Sequence, residues 1–129
     1  MRYYPEIPLK LCNPPLLVLM YSMGYSNGME IKQSNEFAKW FRKLKNHEAK
    51  AAIQARLDAC RLAGRPLGDI KPTGGAVSEM RFHLGAGYRV YFTMRGNVLM
   101  LLLAGGDKST QQVDIKRAHD ILNDYKEQQ

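Results

Sequence analysis

From Met29 onward the apolar positions follow first the period of a helix and then that of a strand. Glu30 to Gln33 reads as a short strand, and Ser34 or Asn35 then stands where a helix N-cap belongs. Phe37, Trp40, Phe41 and Leu44 follow at i, i+3, i+4 and i+7, which makes one apolar helix face, with Lys39, Arg42, Lys43 and Lys45 turned mostly away. Asn46 caps a second helix whose buried stripe is Ala49, Ile53, Leu57 and Cys60, ended by Gly64 with Pro66 two residues later. The two helices form a hairpin.

The second half switches to a period of two. Met80, Phe82 and Leu84 alternate with Glu79, Arg81 and His83, and Gly85-Ala86-Gly87 supplies a turn. The return strand, Tyr88 to Arg95, sets Val90, Phe92 and Met94 on one face and Arg89, Tyr91, Thr93 and Arg95 on the other, before a turn at Gly96-Asn97. Val98 to Ala104 is nearly all apolar and reads as a strand buried on both faces. After Gly105-Gly106, Ser109 and Gln112 match an S-x-x-Q capping box for a last helix carrying Ile115, Ala118, Leu122 and Tyr125 on one side. The order β-α-α-β-β-β-α predicts an α+β domain, a helical hairpin packed on a small antiparallel sheet with a C-terminal helix.

Residues 1–28 break this order. Pro5, Pro8, Pro14 and Pro15 prevent a regular element, so the segment reads as an irregular N-terminal extension to a domain spanning residues 29–129. Met20, Met23 and Met29 can each start translation, and two readings stand open: an over-extended reading frame, or an arm that binds a partner. With 129 residues, one domain is expected. At 45% hydrophobic and 24% charged residues, the chain is not of the polar kind that stays disordered. The net charge of +7 favours an acidic partner without choosing among nucleic acid, an anionic membrane surface and an acidic protein. Cys12 and Cys60 lack a C-x-x-C context, and His47, His83 and His119 lie far apart, so neither a metal site nor a disulfide framework is expected, and no cofactor. The longest apolar runs, Leu16 to Met20 and Val98 to Ala104, fall far short of the ~20 residues of a membrane span. No A-x-A-like cleavage site follows the first of them, and the chain reads as cytoplasmic.

The residues that bear chemistry gather on the polar face of the strand hairpin. Arg81 and His83 from one strand and Arg89, Tyr91 and Arg95 from the next converge on one surface, where adjacent like charges repel unless an anion answers them. Arginine forks suit phosphate oxygens, and Tyr91 is placed to stack on a base. The bland alternative is a solvated sheet face, and for Arg95, beside the turn, solubility is the simpler role. Lys108, after Gly105-Gly106, stands where a strand hands over to a helix N-terminus, and Lys71 is a weaker candidate between Asp69-Ile70 and Pro72-Thr73. The lysine-rich stretch Lys39 to Lys50 reads most simply as a solvated face.

Three strings carry a resemblance: Ser78-Glu79-Met80-Arg81-Phe82-His83, Gly87-Tyr88-Arg89-Val90-Tyr91-Phe92, and Leu101-Leu102-Leu103-Ala104-Gly105-Gly106-Asp107-Lys108-Ser109. Together with Phe37-x-x-Trp40 and Gly68-Asp69-x-Lys71-Pro72, the stretch from Met29 to Tyr125 resembles the RelE/ParE toxin superfamily, and most closely its HigB-like addiction-module killer branch. The resemblance implies a RelE-like fold and the toxin of a type II toxin–antitoxin pair, held by a cognate antitoxin that is often a helix-turn-helix protein. RelE-like members enter the ribosome and cut mRNA without metal, using the 2′-hydroxyl as nucleophile, whereas ParE-like members act on gyrase without a nuclease set. An inactive antitoxin- or nucleic-acid-binding module is the third alternative. Carried over by position, Arg81, Arg89 and Lys108 become charge stabilisers and His83 the proton-transfer group. The tyrosine that RelE has past its post-strand basic position is missing, since the chain reads Gln111-Gln112-Val113-Asp114 there, which leaves Tyr91 or Asp107 as substitutes.

A chain starting at Met29 is expected to fold and to arrest growth when induced. A harmless or insoluble product, with the full chain active, would show that residues 1–28 belong to the domain.

Overall fold

A computed structural model describes residues 28–127. Apart from Gly28, the extension read over residues 1–28 lies outside the described residues. The chain runs β1 (Glu30–Gln33), α1 (Asn35–Lys43), α2 (His47–Ala63), β2 (Asp69–Gly74), β3 (Val77–Phe82), β4 (Tyr88–Arg95), β5 (Leu99–Gly106), a 3-10 turn (Lys108–Thr110) and α3 (Gln111–Glu127). The hairpin helices lie where the periodicity put them, each with its cap. The Ser34 hydroxyl accepts from the Phe37 N–H at 3.0 Å and donates to the Leu103 carbonyl at 2.7 Å, so the start of α1 is stitched to β5. Asn46 accepts from the Ala49 N–H at 3.0 Å, and Gly64, at φ +77°, closes α2 in the left-handed region where glycine is unstrained.

The α+β class holds, but the sheet is larger than the three-stranded meander and its short companion strand. Its five strands lie in the order β1-β5-β4-β3-β2, with β2 to β5 antiparallel and β1 beside β5 in parallel. Asp69–Gly74, which reads in the sequence only as a lead-in, is an edge strand. It has no alternation to reveal it, and an edge tolerates Pro72, whose missing N–H costs nothing on the open side. The start of α3 also differs from the S-x-x-Q reading. Asp107, two residues before Ser109, caps the 3-10 turn that leads into α3: it accepts from the Ser109 N–H at 2.8 Å, and its own N–H reaches the Thr110 hydroxyl at 3.4 Å.

Helices cover both faces of the sheet. On one face Ile31, Met80, Phe82, Val90, Phe92, Met100 and Leu102 pack against Phe37, Ile53, Leu57 and Cys60 of the hairpin. Within it, Cys60 is a free thiol that accepts from the Leu67 N–H at 3.2 Å, and burial pushes its pKa up. On the other face Val77, Tyr91, Leu101 and Leu103 pack against Ala118 and Leu122 of α3. The face read as polar is therefore a second core over much of its length. The two cores share β5, which explains its unbroken apolar run.

Gly105 lets α1 approach. The Trp40 indole lies against it, and a Cβ there would overlap the ring. Gly105→Ala is expected to destabilise the chain by about 1–3 kcal/mol, the usual cost of overpacking a filled core. A urea midpoint equal to that of the wild type would show that Trp40 moves aside freely.

Candidate functional site

α3 leaves one end of its sheet face uncovered, the end where β4 begins and β5 finishes. Strand register there sets Asp69, Arg81, Arg89 and Gly106 in one row across β2, β3, β4 and β5. The row borders an open cleft of about 690 Å³, lined by Lys71, Arg81, His83, Arg89, Lys108 and Gln111 together with the Leu84–Gly87 turn. No carboxylate is among the described lining residues.

Arg81 and Arg89 sit directly opposite each other on neighbouring strands, a like-charge pairing that destabilises a sheet unless each charge is answered. Asp69 answers Arg81, accepting from Nε and Nη2 at 3.1 Å each in a bidentate fork. It also lies 2.5 Å from Nε2 of His83. The hydrogen bonds from His83 and then Arg81 hold the Asp69 carboxyl below its ordinary pKa, although its side chain is 34% exposed. A carboxylate only accepts, so Nε2 of His83 carries the proton toward Asp69 and Nδ1 is the nitrogen left for other partners.

Glu79 answers Arg89. The side chains are only 2% and 8% exposed, with Arg89 Nε 3.8 Å from Glu79 Oε2. Arg89 Nη1 donates to the Gly87 carbonyl at 3.0 Å, and Gln111, the first residue of α3, donates to Glu79 Oε1 at 3.0 Å. The guanidinium is thus held at the cleft edge by one hydrogen bond and one ion pair, with its buried Nε making no hydrogen bond among the described residues. Lys108 reaches the cleft because its N–H donates to the Ala86 carbonyl at 3.3 Å, joining the β5–α3 connection to the β3–β4 turn.

Lys71, Arg81, His83, Arg89 and Lys108 are therefore brought together. Tyr91 and Arg95 are not. Tyr91 was expected to offer its ring to a base, but it is completely buried beneath α3, and its hydroxyl has no hydrogen-bond partner among the described residues. Burial, and after it the charge of Glu79, drives the phenol pKa upward, so Tyr91 stays neutral. Arg95 lies at the far end of β4, its guanidinium carbon 6.0 Å from the ring centroid of Tyr125. Asp107, the other substitute for the missing tyrosine, is engaged as the cap of the 3-10 turn and is not among the lining residues of this cleft. Sequence reasoning missed the holding roles of Asp69, Glu79 and Gln111. Asp69 stood in the Gly-Asp-x-Lys-Pro string and Glu79 on the same strand face as Arg81, but neither signal reveals a cross-strand partner. Among the described residues no three His, Cys, Asp or Glu side chains stand close enough to share a metal ion, and no helix is long and apolar enough to cross a membrane.

The chain has the RelE-like fold. It matches a solved structure of the E. coli toxin RelE, a double arginine-to-alanine mutant in the free state, with a TM-score of 0.53 over 70% of this chain and 97% of that one, at 16% identity. In sequence it is 48% identical over 90 residues to an uncharacterized protein of Haemophilus influenzae, covering 70% of this chain and 89% of that protein, and it belongs to the same family. No family model matches the chain.

Because the folded-state pKa of Asp69 is depressed, its ionised form adds stability that is present at neutral pH and is lost as pH falls through the folded value. Asp69→Asn should flatten the acid-side decline of Tm with pH. Parallel curves for variant and wild type would show that Asp69 carries none of that decline.

Proposed function

We propose that the chain is the toxin of a toxin–antitoxin pair, in the HigB-like branch, and that it acts as a metal-independent endoribonuclease on ribosome-bound mRNA in the cytoplasm. The observation that carries this reading is the cleft in which Lys71, Arg81, Arg89 and Lys108 gather with His83 and no carboxylate is among the described lining residues. Such a lining suits a phosphodiester and repels a hydrated cation. Its basic surface also fits an acidic segment of a cognate helix-turn-helix antitoxin.

The chemistry follows from the hydrogen bonds. The 2′-oxygen attacks the adjacent phosphorus, its proton leaves to a base, and the bond to the 5′-oxygen breaks as that oxygen gains a proton, giving a cyclic phosphate and a free 5′-hydroxyl. His83, with Nε2 turned to Asp69, presents Nδ1 to take or return the proton. Arg89 and Lys108 stabilise the charge that grows on the phosphorane oxygens, and Arg81 adds to it while sharing its charge with Asp69. Arg89, held by Glu79 and Gly87, needs little rearrangement as that charge develops.

Arg89→Ala should lower the cleavage rate by about 100-fold, the scale of losing one such donor. Arg89→Lys keeps a positive charge opposite Glu79 while losing the fork, and so separates catalysis from folding. His83→Gln should flatten one limb of the pH–rate profile, and a single 2′-deoxy group at the scissile nucleotide should block cleavage. Full cleavage by the Arg89→Lys, His83→Gln double variant would remove this cleft as the active site. Intact mRNA with altered plasmid topology on induction would instead favour a gyrase poison, and neither effect, with tight antitoxin binding, an inert module.

A further inference from the structure

A second cleft, of about 410 Å³, opens at the same end of the sheet, between α1 and the start of β4. Trp40 and Tyr88 line it with Lys39, Lys43, Lys45 and Arg117. All four cations are exposed, and none forms an ion pair among the described residues. The two acids among its described lining residues, Glu36 and Asp107, do not cancel four cations, and Asp107 is already occupied in accepting from the Ser109 N–H and hydroxyl. Lysines that looked in the sequence like a solvated face thus share one concave surface with two aromatic rings.

The two clefts meet at one ridge. Gly87 and Lys108 line the first, while Tyr88 and Asp107, their chain neighbours, line the second, and the Lys108 N–H to Ala86 carbonyl bond ties the two segments together. Adjacent residues are about 3.8 Å apart, so a strand leaving one cleft over the ridge enters the other. Cations that follow a backbone, combined with aromatic faces, are what single-stranded nucleic acid requires.

We propose that the second cleft is a binding site for single-stranded RNA that takes the nucleotides flanking the reacting phosphodiester, so that one strand crosses the Gly87–Tyr88 ridge and occupies both clefts. This rests on the reading of the first cleft as the nuclease site. Trp40 and Tyr88 offer stacking surfaces, and Lys39, Lys43, Lys45 and Arg117 meet the phosphates.

The test uses the full chain and uncleavable 2′-O-methyl RNA, as a dinucleotide and as a strand of about eight nucleotides, within the span that such grooves bind. Lys39 and Lys43 are exposed on α1, and the Lys39→Gln, Lys43→Gln double variant should keep the wild-type Tm. It should bind the longer strand about tenfold more weakly at moderate salt, with the slope of log affinity against log salt smaller by about 1.4, the loss of two phosphate contacts on a single strand. Dinucleotide binding should not change. Equal affinity and slope for the longer strand would overturn the second site and leave the first standing. Failure of the wild-type chain to bind either RNA would overturn both. Unchanged RNA binding with lost binding of poly-glutamate would assign the second cleft to an acidic polypeptide and overturn the proposal.

Discussion

Two arginines in register on neighbouring strands repel each other, and the rest of the site is arranged around that repulsion. Arg81 and Arg89 are partners across β3 and β4. Each is answered by an acid, Arg81 by Asp69 on the edge strand and Arg89 by the buried Glu79, two residues before Arg81 on β3. The acids stand behind the guanidinium groups and stay out of the cleft, so the sheet tolerates the pair while the cleft remains cationic. Burying the Arg89–Glu79 pair carries a desolvation cost that hydrogen bonds from Gln111 to Glu79 and from Arg89 to Gly87 partly offset. What the pair secures is geometry, a guanidinium fixed at the edge of the cleft.

The position of α3 decides where this cationic surface can exist. One face of β4 carries Arg89, Tyr91 and Thr93 in succession, all three largely buried, yet only Arg89 borders the cleft. The difference is whether the helix lies overhead. Two glycines at the end of β5 set the approach from both sides. Gly105 receives the Trp40 indole from α1, and Gly106 makes room for Asp114 of α3, whose carboxylate takes the Thr110 hydroxyl at 2.5 Å. Side chains at either glycine would push a helix away from the sheet end where both clefts open.

Much of the fold could be read along the chain because periodicity and caps are local properties. Ser34, Asn46 and Gly64 mark helix ends through bonds to residues three or four positions away, and Met80, Phe82, Val90 and Phe92 declare their buried face by alternation alone. The cationic members of the site were also legible, since Arg81, His83 and Arg89 alternate in phase and Lys108 follows a glycine pair. Non-local pairing was not legible. The parallel seat of β1 beside β5, the edge strand at Asp69 and the Glu79–Arg89 pair all join residues distant in sequence, and none leaves a local pattern.

Tyr91 shows the division most plainly. Alternation determined which side of the sheet its ring would take, and it does share that side with Arg89. Whether that side met a cleft or a helix was decided by α3, which folds back from more than twenty residues later to cover Tyr91 and leaves Arg89 at the cleft edge. The sequence by itself thus determined elements, faces and the inventory of charges, because these depend on backbone geometry within a few residues. Only the tertiary structure decided which charges share a cleft, which are neutralised from behind and which polar side chain becomes core, because burial and ion pairing depend on what packs overhead.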